Sequence, residues 1–428
     1  MLYLTKQYNL DEQQFVENVL SSGIEVHVVT MEYTEQAQDY IHFLPMLLAK
    51  KSVLNQYKSE SLIALKVAVP KYWEICMEED CATIWDKDIQ RGQIFYRHKE
   101  LYTVDRVEWW DNQGKVISCD YYLENGWRYK QEIMDESENS ISVHYYDDQN
   151  SLLMIKNVER GLYTLFKDEI THIYTEDELW QACLEFFDLE NEVLVVGDLE
   201  IAGYLVGQKV SAVYSSKKQI EIQEVEVYLS RVDRLYIYHY SVFESLAPND
   251  KIHHISPLYP LKMNVNHHRA LIMTHTQEIE KIEEIVEKLP MVEFHIAALT
   301  SMGPRLLDLG IRENVYLHPG ISQAEYESLI NQCSLYLDIN HSIEILNAVE
   351  ESLEKGLLLF AFKETQHRGG FICPEHLASS QAVTDLIDAI KKVVVSEEMY
   401  HLALQKQWKW LRSSTKEDYY RAFRKVEN

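Results

Sequence analysis

The spacing of apolar residues changes rhythm twice along this 428-residue chain. In residues 1–45, Leu2–Leu4 and Ile24–Val29 read as strands. Between them Leu10–Leu20 reads as a helix capped by Asn9, with Phe15, Val16, Val19 and Leu20 on one face. From Leu62 to Tyr174 the period falls to two. Trp73–Met77, Ala82–Trp85, Gly92–Arg97, Val104–Trp109, Val116–Tyr122, Trp127–Ile133, Ile141–Tyr145, Leu152–Ile155 and Leu162–Phe166 read as strands of one antiparallel meander, because hairpins follow one another without a helix. Turn chemistry punctuates it at Asp111–Gly114, at Asn125-Gly126, where the pair favours a type I′ turn, and at Asp147–Asn150.

At Thr175 strand–helix alternation returns. Thr175–Glu178 is a capping box, followed by strands Val193–Val196, Val210–Tyr214 and Leu235–His239. Pro257 and Pro260 mark an inter-domain link. Beyond them come Ala270–Met273, helix Glu278–Leu289, strand Phe294–Leu299, a helix near Arg305–Leu309, strand Val315–Leu317 and helix Ala324–Cys333 behind a second capping box, Ser322–Glu325. Strand Leu335–Asp338, the polar turn Ile339–Ser342, helix Ile343–Lys355 and strand Leu357–Phe362 follow, then a helix around Gln381–Val395. The last segments, Tyr400–Leu411 and Glu417–Val426, are placed to cross back to the first domain. The fold class is therefore α/β. One Rossmann-like domain is made of residues 1–45 and 175–260, a β-meander of residues 46–174 is inserted in it, and a second Rossmann-like domain spans 261–428. Ligands of such sheets sit at the carboxyl ends of the strands.

Composition narrows the function classes. With 46% apolar residues, 14 Gly and 9 Pro, the chain is neither disordered nor fibrous. No apolar run approaches the roughly 20 residues that cross a bilayer. The opening MLYLTKQYNLDEQQF lacks the basic-then-apolar order of a signal peptide, so a cytosolic location is expected. Six scattered cysteines without a CxxC pair imply reduced thiols and no metal site. A formal charge of −27 argues against nucleic acid and against simple electrostatic attachment to an anionic membrane.

The stretch Leu335–Phe362 has the strand–turn–helix–strand frame in which a two-Rossmann-domain transferase grips a nucleotide sugar. Without a metal, such a site needs positive charge for the pyrophosphate and two carboxylates eight positions apart. The loop Met273–Gln277 contains no Arg, Lys or Gly, and Lys281 reads as an i,i+3 partner of Glu278 or Glu284 in an acidic helix. Counting back from Gly356 puts the helix carboxylate on Glu351, and eight positions earlier stands Ile343. Glu344 is one place out, turned by about 100° on a helix. The pair is broken, so no catalytic residue and no cofactor are expected.

Thr300, Ser301 and Met302, and Asp338, Asn340 and His341, are the polar residues left at the carboxyl ends of predicted strands. Their short side chains suit an extended acceptor peptide better than a diphosphate. Helix capping, for Ser342 above all, and a structural role for His341 are the competing readings. On the meander, Trp109, Trp110, Tyr122 and Trp127 are candidates for partner contact. Core filling competes there too, because alternation sends neighbours to opposite faces.

LTSMGPRLLDLGIRENVYLHPG and CSLYLDINHSIEILNAVEESLEKGLLLFAF, with VPKYWEI, RGQIFY, VDRVEWWDNQGKV and DYYLENGW in the insertion, resemble the B subunit of the accessory-Sec O-glycosyltransferase, the GtfB-type stabilising protein. The resemblance implies a GT-B glycosyltransferase-like fold with the meander inserted in the first domain. It implies a hetero-oligomer with a catalytic GtfA-type subunit that carries the UDP-N-acetylglucosamine site, and capture of a serine-rich repeat adhesin polypeptide. It also implies peripheral association with the inner face of the cell membrane. The broken carboxylate pair agrees with a non-catalytic member. The alternative is an active UDP-sugar-dependent glycosyltransferase using Glu351, and a third reading is a scaffold whose meander is only a dimerisation surface.

Overall fold

The computed structural model describes residues 1–33, 38–49, 61–167, 170–215, 222–259, 268–341 and 343–424; Pro260, Ser342 and the expected helix end at Val426 lie outside them. The chain divides into two compact units, Met1–Ile255 with Lys416–Asn428, and Ser256–Thr415. The second unit therefore ends at Thr415, short of the expected residue 428. Helix Lys416–Phe423 belongs to the first unit, where Tyr419 and Phe423 pack on Phe15 with ring centroids 6.2 and 5.2 Å apart.

The first unit begins with parallel strands β1 (Leu2–Thr5), β2 (His27–Thr30) and β3 (Ile41–Phe43). Helix Leu10–Ser21 joins β1 to β2. It opens on a capping box in which Asn9 accepts from the Glu12 amide and Glu12 accepts from the Asn9 amide.

The meander follows as β4 (Glu74–Met77), β5 (Cys81–Asp86), β6 (Ile89–His98), β7 (Thr103–Trp110), β8 (Val116–Tyr122), β9 (Arg128–Met134), β10 (Ser140–Tyr146), β11 (Leu152–Asn157), β12 (Leu162–Lys167) and β13 (Ile170–Thr175). All ten pair in sequence order. Four of its turns recur at twelve-residue spacing, with positive φ at Gly114, Gly126, Glu138 and Asn150. In each, the positive-φ residue donates to the carbonyl three residues earlier, and that earlier residue donates across to the residue after the turn. Only the last turn residue, and not Asn125, has positive φ, so Asn125-Gly126 is a three-residue turn with a bulge and not type I′. Asp111, Asp135 and Asp147 fix their turns by accepting two amides each on one carboxylate oxygen.

Strands β14 (Leu194–Val196), β15 (Val210–Tyr214), β16 (Arg234–Ile237) and β17 (Ile252–His254) complete a parallel sheet of order β17-β16-β15-β14-β1-β2-β3. One core joins this sheet to the later meander strands: Leu2, Leu4 and Val29 lie in it with Trp127, Tyr145, Leu153 and Tyr163. The earlier strands enclose their own small core of Ile84, Ile94 and Val107 under Ala64 and Val67.

In the second unit, β18 (Arg269–Met273), β19 (Glu293–Ala298), β20 (Val315–Pro319), β21 (Leu335–Asp338), β22 (Leu358–Phe362) and β23 (Leu377–Ala378) form a parallel sheet of order β20-β19-β18-β21-β22-β23. Strand order reverses between β18 and β21, where such a sheet opens a ligand crevice. Two helices start later than the apolar spacing predicts. Glu278–Leu289 shrinks to Ile282–Lys288 because Lys281 is left-handed (φ 54°) and Ile279 bridges to Asn340. Ile343–Lys355 shrinks to Ala348–Glu354 because Leu346 and Asn347 are left-handed, with φ 51° and 50°.

Acid should act on two buried groups, one in each unit, in opposite senses. His376, buried against Phe360, has its pKa pressed from the ordinary 6.5 to about 4 by burial. Between those values the unfolded chain binds the proton first, so the second unit loses stability as pH falls below about 6.5. Buried Glu12 runs the other way: burial lifts its pKa to about 7, so the folded first unit binds a proton that the unfolded chain releases above about 4.5. Going from pH 7.5 to pH 5, His376 should therefore cost the second unit on the order of 2 kcal/mol, while Glu12 adds stability to the first. Calorimetric scans at both values, with peptide-resolved hydrogen exchange assigning each transition, check this.

Candidate functional site

The carboxyl edge of the second sheet is where the candidate residues collect. After β18, buried Thr274 donates to the Thr276 carbonyl at 2.7 Å and receives the Thr276 amide, folding the loop back on itself. Gln277 then reaches over Gly303, where a Cβ would fall inside its side-chain amide. Its Oε1 accepts the Arg305 amide at 3.0 Å, in the first turn of helix Pro304–Leu309. The helix end that could offer a backbone amide to a phosphate thus offers it to Gln277. Arg305 does bring positive charge to this loop, but Glu283 takes its guanidinium bidentately at 2.7 and 2.9 Å. That hydrogen-bonded partner lowers the Glu283 pKa.

At the reversal between β18 and β21, Asn340 closes the crevice. It is 2% exposed, its Nδ2 donates to the Met273 carbonyl at 2.9 Å, and the Glu280 amide donates to the Ile339 carbonyl beside it. Asp338 is fully buried: its Oδ2 accepts the His367 amide at 2.8 Å and its Oδ1 meets His367 Nδ1 at 2.5 Å. His341 is exposed and pairs with Glu280 at 2.5 Å.

Farther along the edge, Arg368 gathers three acceptors. Its Nε donates to Glu344 at 2.7 Å, and its two terminal nitrogens donate to Glu350 at 2.9 Å and to Asn347 at 3.0 Å. The other Glu344 oxygen accepts the Val349 amide at 3.2 Å. Glu351 turns away from this cluster towards Tyr326, and burial raises its pKa. The two acids nearest the expected pair are thus held by a cation of the same chain. Sequence reasoning missed Arg368. The signal was its position after a buried strand, in the loop His367-Arg368-Gly369-Gly370.

Of the predicted cleft residues, Thr300 and Ser301 are exposed and Met302 is half-buried. Ser301 and Met302 share a hollow of about 320 Å³ with Thr274, His275, Thr276, Gln277 and Gly303. The structure therefore brings Ser301 and Met302 together with the β18 loop, and buries Asp338 and Asn340 in hydrogen bonds. On the meander, Trp109 donates to buried Asp120 at 2.7 Å, and Arg128 and Gln131 also converge on that carboxylate. Trp109 and Tyr122 pack against the small meander core, and Trp110 is half-buried. Trp127 lies in the main core of the first unit, edge-on to Tyr33 at 4.7 Å.

Residues 73–175 match the GtfB middle domain and residues 270–407 the GftB/GlyA-F C-terminal domain, together more than half of the chain. The chain belongs to the GtfB family. It is 29% identical over 328 residues to the UDP-N-acetylglucosamine--peptide N-acetylglucosaminyltransferase stabilizing protein GtfB of Limosilactobacillus reuteri subsp. suis, covering 73% of this chain and 74% of that protein. With the protein of the same name from Streptococcus gordonii it shares 24% identity over 437 residues, covering 95% and 94%. In fold it is similar to a chain in the crystal structure of the GtfA/B complex bound to UDP and GlcNAc, with a TM-score of 0.76, 24% identity and 99% of both chains covered. That likeness agrees with two Rossmann-like domains and an inserted meander. No helix among the described residues is long and apolar enough to cross a membrane.

Proposed function

We propose that this chain is the non-catalytic partner subunit of a protein O-GlcNAc transferase: it assembles with a catalytic GtfA-type subunit, stabilises it, and binds the Ser/Thr-rich adhesin polypeptide that the complex modifies. The observation that carries this reading is the self-filled carboxyl edge of the second sheet. Gln277, Asn340 and Arg368 stand where a nucleotide sugar would need open amides, an open crevice and open carboxylates. The names of the relatives and of the solved complex support the partnership. Acceptor contact falls to the exposed or half-exposed Thr300, Ser301, Met302 and His341, with buried Asp338 and Asn340 fixing the strand end that carries His341. On the meander, Trp109, Trp110 and Tyr122 remain the candidates for partner contact, while Trp127 lies in the main core of the first unit. The work of the chain is placed in the cytosol, at or near the inner face of the membrane.

Calorimetric titration of the isolated chain with UDP-N-acetylglucosamine tests this. No heat of binding and no hydrolysis are expected up to millimolar donor. Micromolar binding with turnover would instead favour the active transferase built on Glu351.

A further inference from the structure

The loop between β21 and helix Ala348–Glu354 carries a conformation that its scaffold duties do not require. Leu346 and Asn347 are consecutive left-handed residues. Asparagine tolerates this region, whereas leucine is strained there, and such strain gathers at sites that use it. The strained backbone turns apolar side chains outward: Ile343 is 68% exposed and Leu346 37%. Ile343 stands beside Glu344, a carboxylate that could have taken the exposed position instead. The loop is braced from outside itself. Arg368 bonds Glu344 and Asn347 within it and Glu350 on the following helix, and Glu344 also accepts the Val349 amide.

From these features we infer that Ile343 and Leu346 form a contact knuckle for the extended polypeptide acceptor, and that Arg368 is the positioning residue that sets it. This rests on the reading of the chain as an acceptor-binding subunit. Ile343 occupies the position where a sugar-binding carboxylate belongs in an active site of this frame, so an apolar surface replaces a hydroxyl-binding one. The neighbouring charges are already matched, Arg368 by Glu344 and Glu350, and His341 by Glu280. Such a surface offers nothing to a phosphate and favours an uncharged chain. Two branched aliphatic side chains suit the Cβ atoms and threonine methyls of a Ser/Thr-rich segment, whose backbone and hydroxyls stay free for Ser301 and Thr300.

The test uses the chain in complex with its catalytic subunit and a fluorescent, unglycosylated peptide of Ser, Thr and Ala, read by polarisation. Ile343→Asp is a surface change, and it should weaken the peptide at least tenfold with melting temperature and complex assembly unchanged. Arg368→Ala should weaken it similarly and raise amide exchange across 343–349, and Arg368→Lys, whose single nitrogen cannot span the acceptors that the guanidinium fork reaches, should restore it only in part. Wild-type affinity for Ile343→Asp overturns the knuckle and leaves acceptor binding intact. Failure of the wild-type complex to bind the peptide overturns the reading on which the knuckle rests. Loss of assembly in Ile343→Asp makes the loop a subunit contact and also overturns it.

Discussion

Replacing Asp338 with alanine should destabilise the second unit by about 3 kcal/mol, the upper end of the range for leaving buried hydrogen-bonding groups unpaired. Asp338 has no exposed surface, and both carboxylate oxygens are engaged by His367. Its own carbonyl accepts the buried Thr365 hydroxyl at 2.8 Å, so strand β21 holds both ends of the segment that leads to Arg368. Alanine leaves the His367 amide and ring facing a cavity too enclosed for bulk water. Asp338→Asn should fall between the two, because one oxygen still accepts while the new amide nitrogen meets a donor. His341→Ala gives the contrast: an exposed pair with Glu280 is worth no more than about 1 kcal/mol. Urea unfolding of the three variants separates a structural from a binding role. An Asp338→Ala midpoint equal to wild type, with weakened acceptor peptide, would return Asp338 to direct ligand contact.

That contrast shows what a single sequence reveals about such a site. The strand ends were legible, because Leu335–Asp338 and Phe294–Leu299 are apolar runs that stop at polar residues. What those polar residues do was not legible, because their partners are far along the chain: Met273 for Asn340, His367 for Asp338, Arg368 for Glu344. The two misplaced helix starts have the same origin. Glu278–Lys281 and Ile343–Asn347 have helical spacing, yet the bridge from Ile279 to Asn340 and the Arg368 brace hold them in other conformations. Tertiary contact overrode local propensity at the points where the edge was being closed.

In the meander nearly all strands were legible, since alternation and turn chemistry are both local. The missed strand is β13, whose first four residues are all exposed, so it shows none of the burial alternation that marks its neighbours. It also runs directly into the Thr175 capping box, which reads as the start of a helix. Trp127 shows the limit of face assignment. Period two says that Trp127 and Arg128 point to opposite sides, but not which side meets the sheet of β1 and β2. The recurrence of turns at Gly114, Gly126, Glu138 and Asn150 was present in the sequence as Asp111, Asp135 and Asp147, twelve or twenty-four residues apart.

The second large effect is expected in the first unit, for Gly197→Ala. Gly197 follows β14 at the point where strand order reverses between β14 and β1, the crevice of that sheet. Its φ is not positive, so alanine meets no backbone objection; the obstacle is space. A Cβ there would fall inside contact with the Tyr3 hydroxyl and with Glu12 Oε1. Neither can retreat. Tyr3 is fully buried, and Glu12 is fixed by the Thr5 hydroxyl at 2.7 Å and the Asn9 amide at 3.1 Å. Overpacking of this kind costs about 1–3 kcal/mol, and the upper half is expected because the displaced carboxyl also caps helix Leu10–Ser21. Gly369→Ala is the control: its φ is ordinary and nothing lies near its Cβ, so its unfolding midpoint should be unchanged. In many Rossmann crevices a glycine lets backbone approach a bound phosphate. Here Gly197 admits Tyr3 and Glu12, as Gly303 admits Gln277 in the second unit. In both units a glycine after a sheet strand thus makes room for the protein's own side chains. If Gly197→Ala melts with wild type, the first crevice has room to spare and that parallel fails.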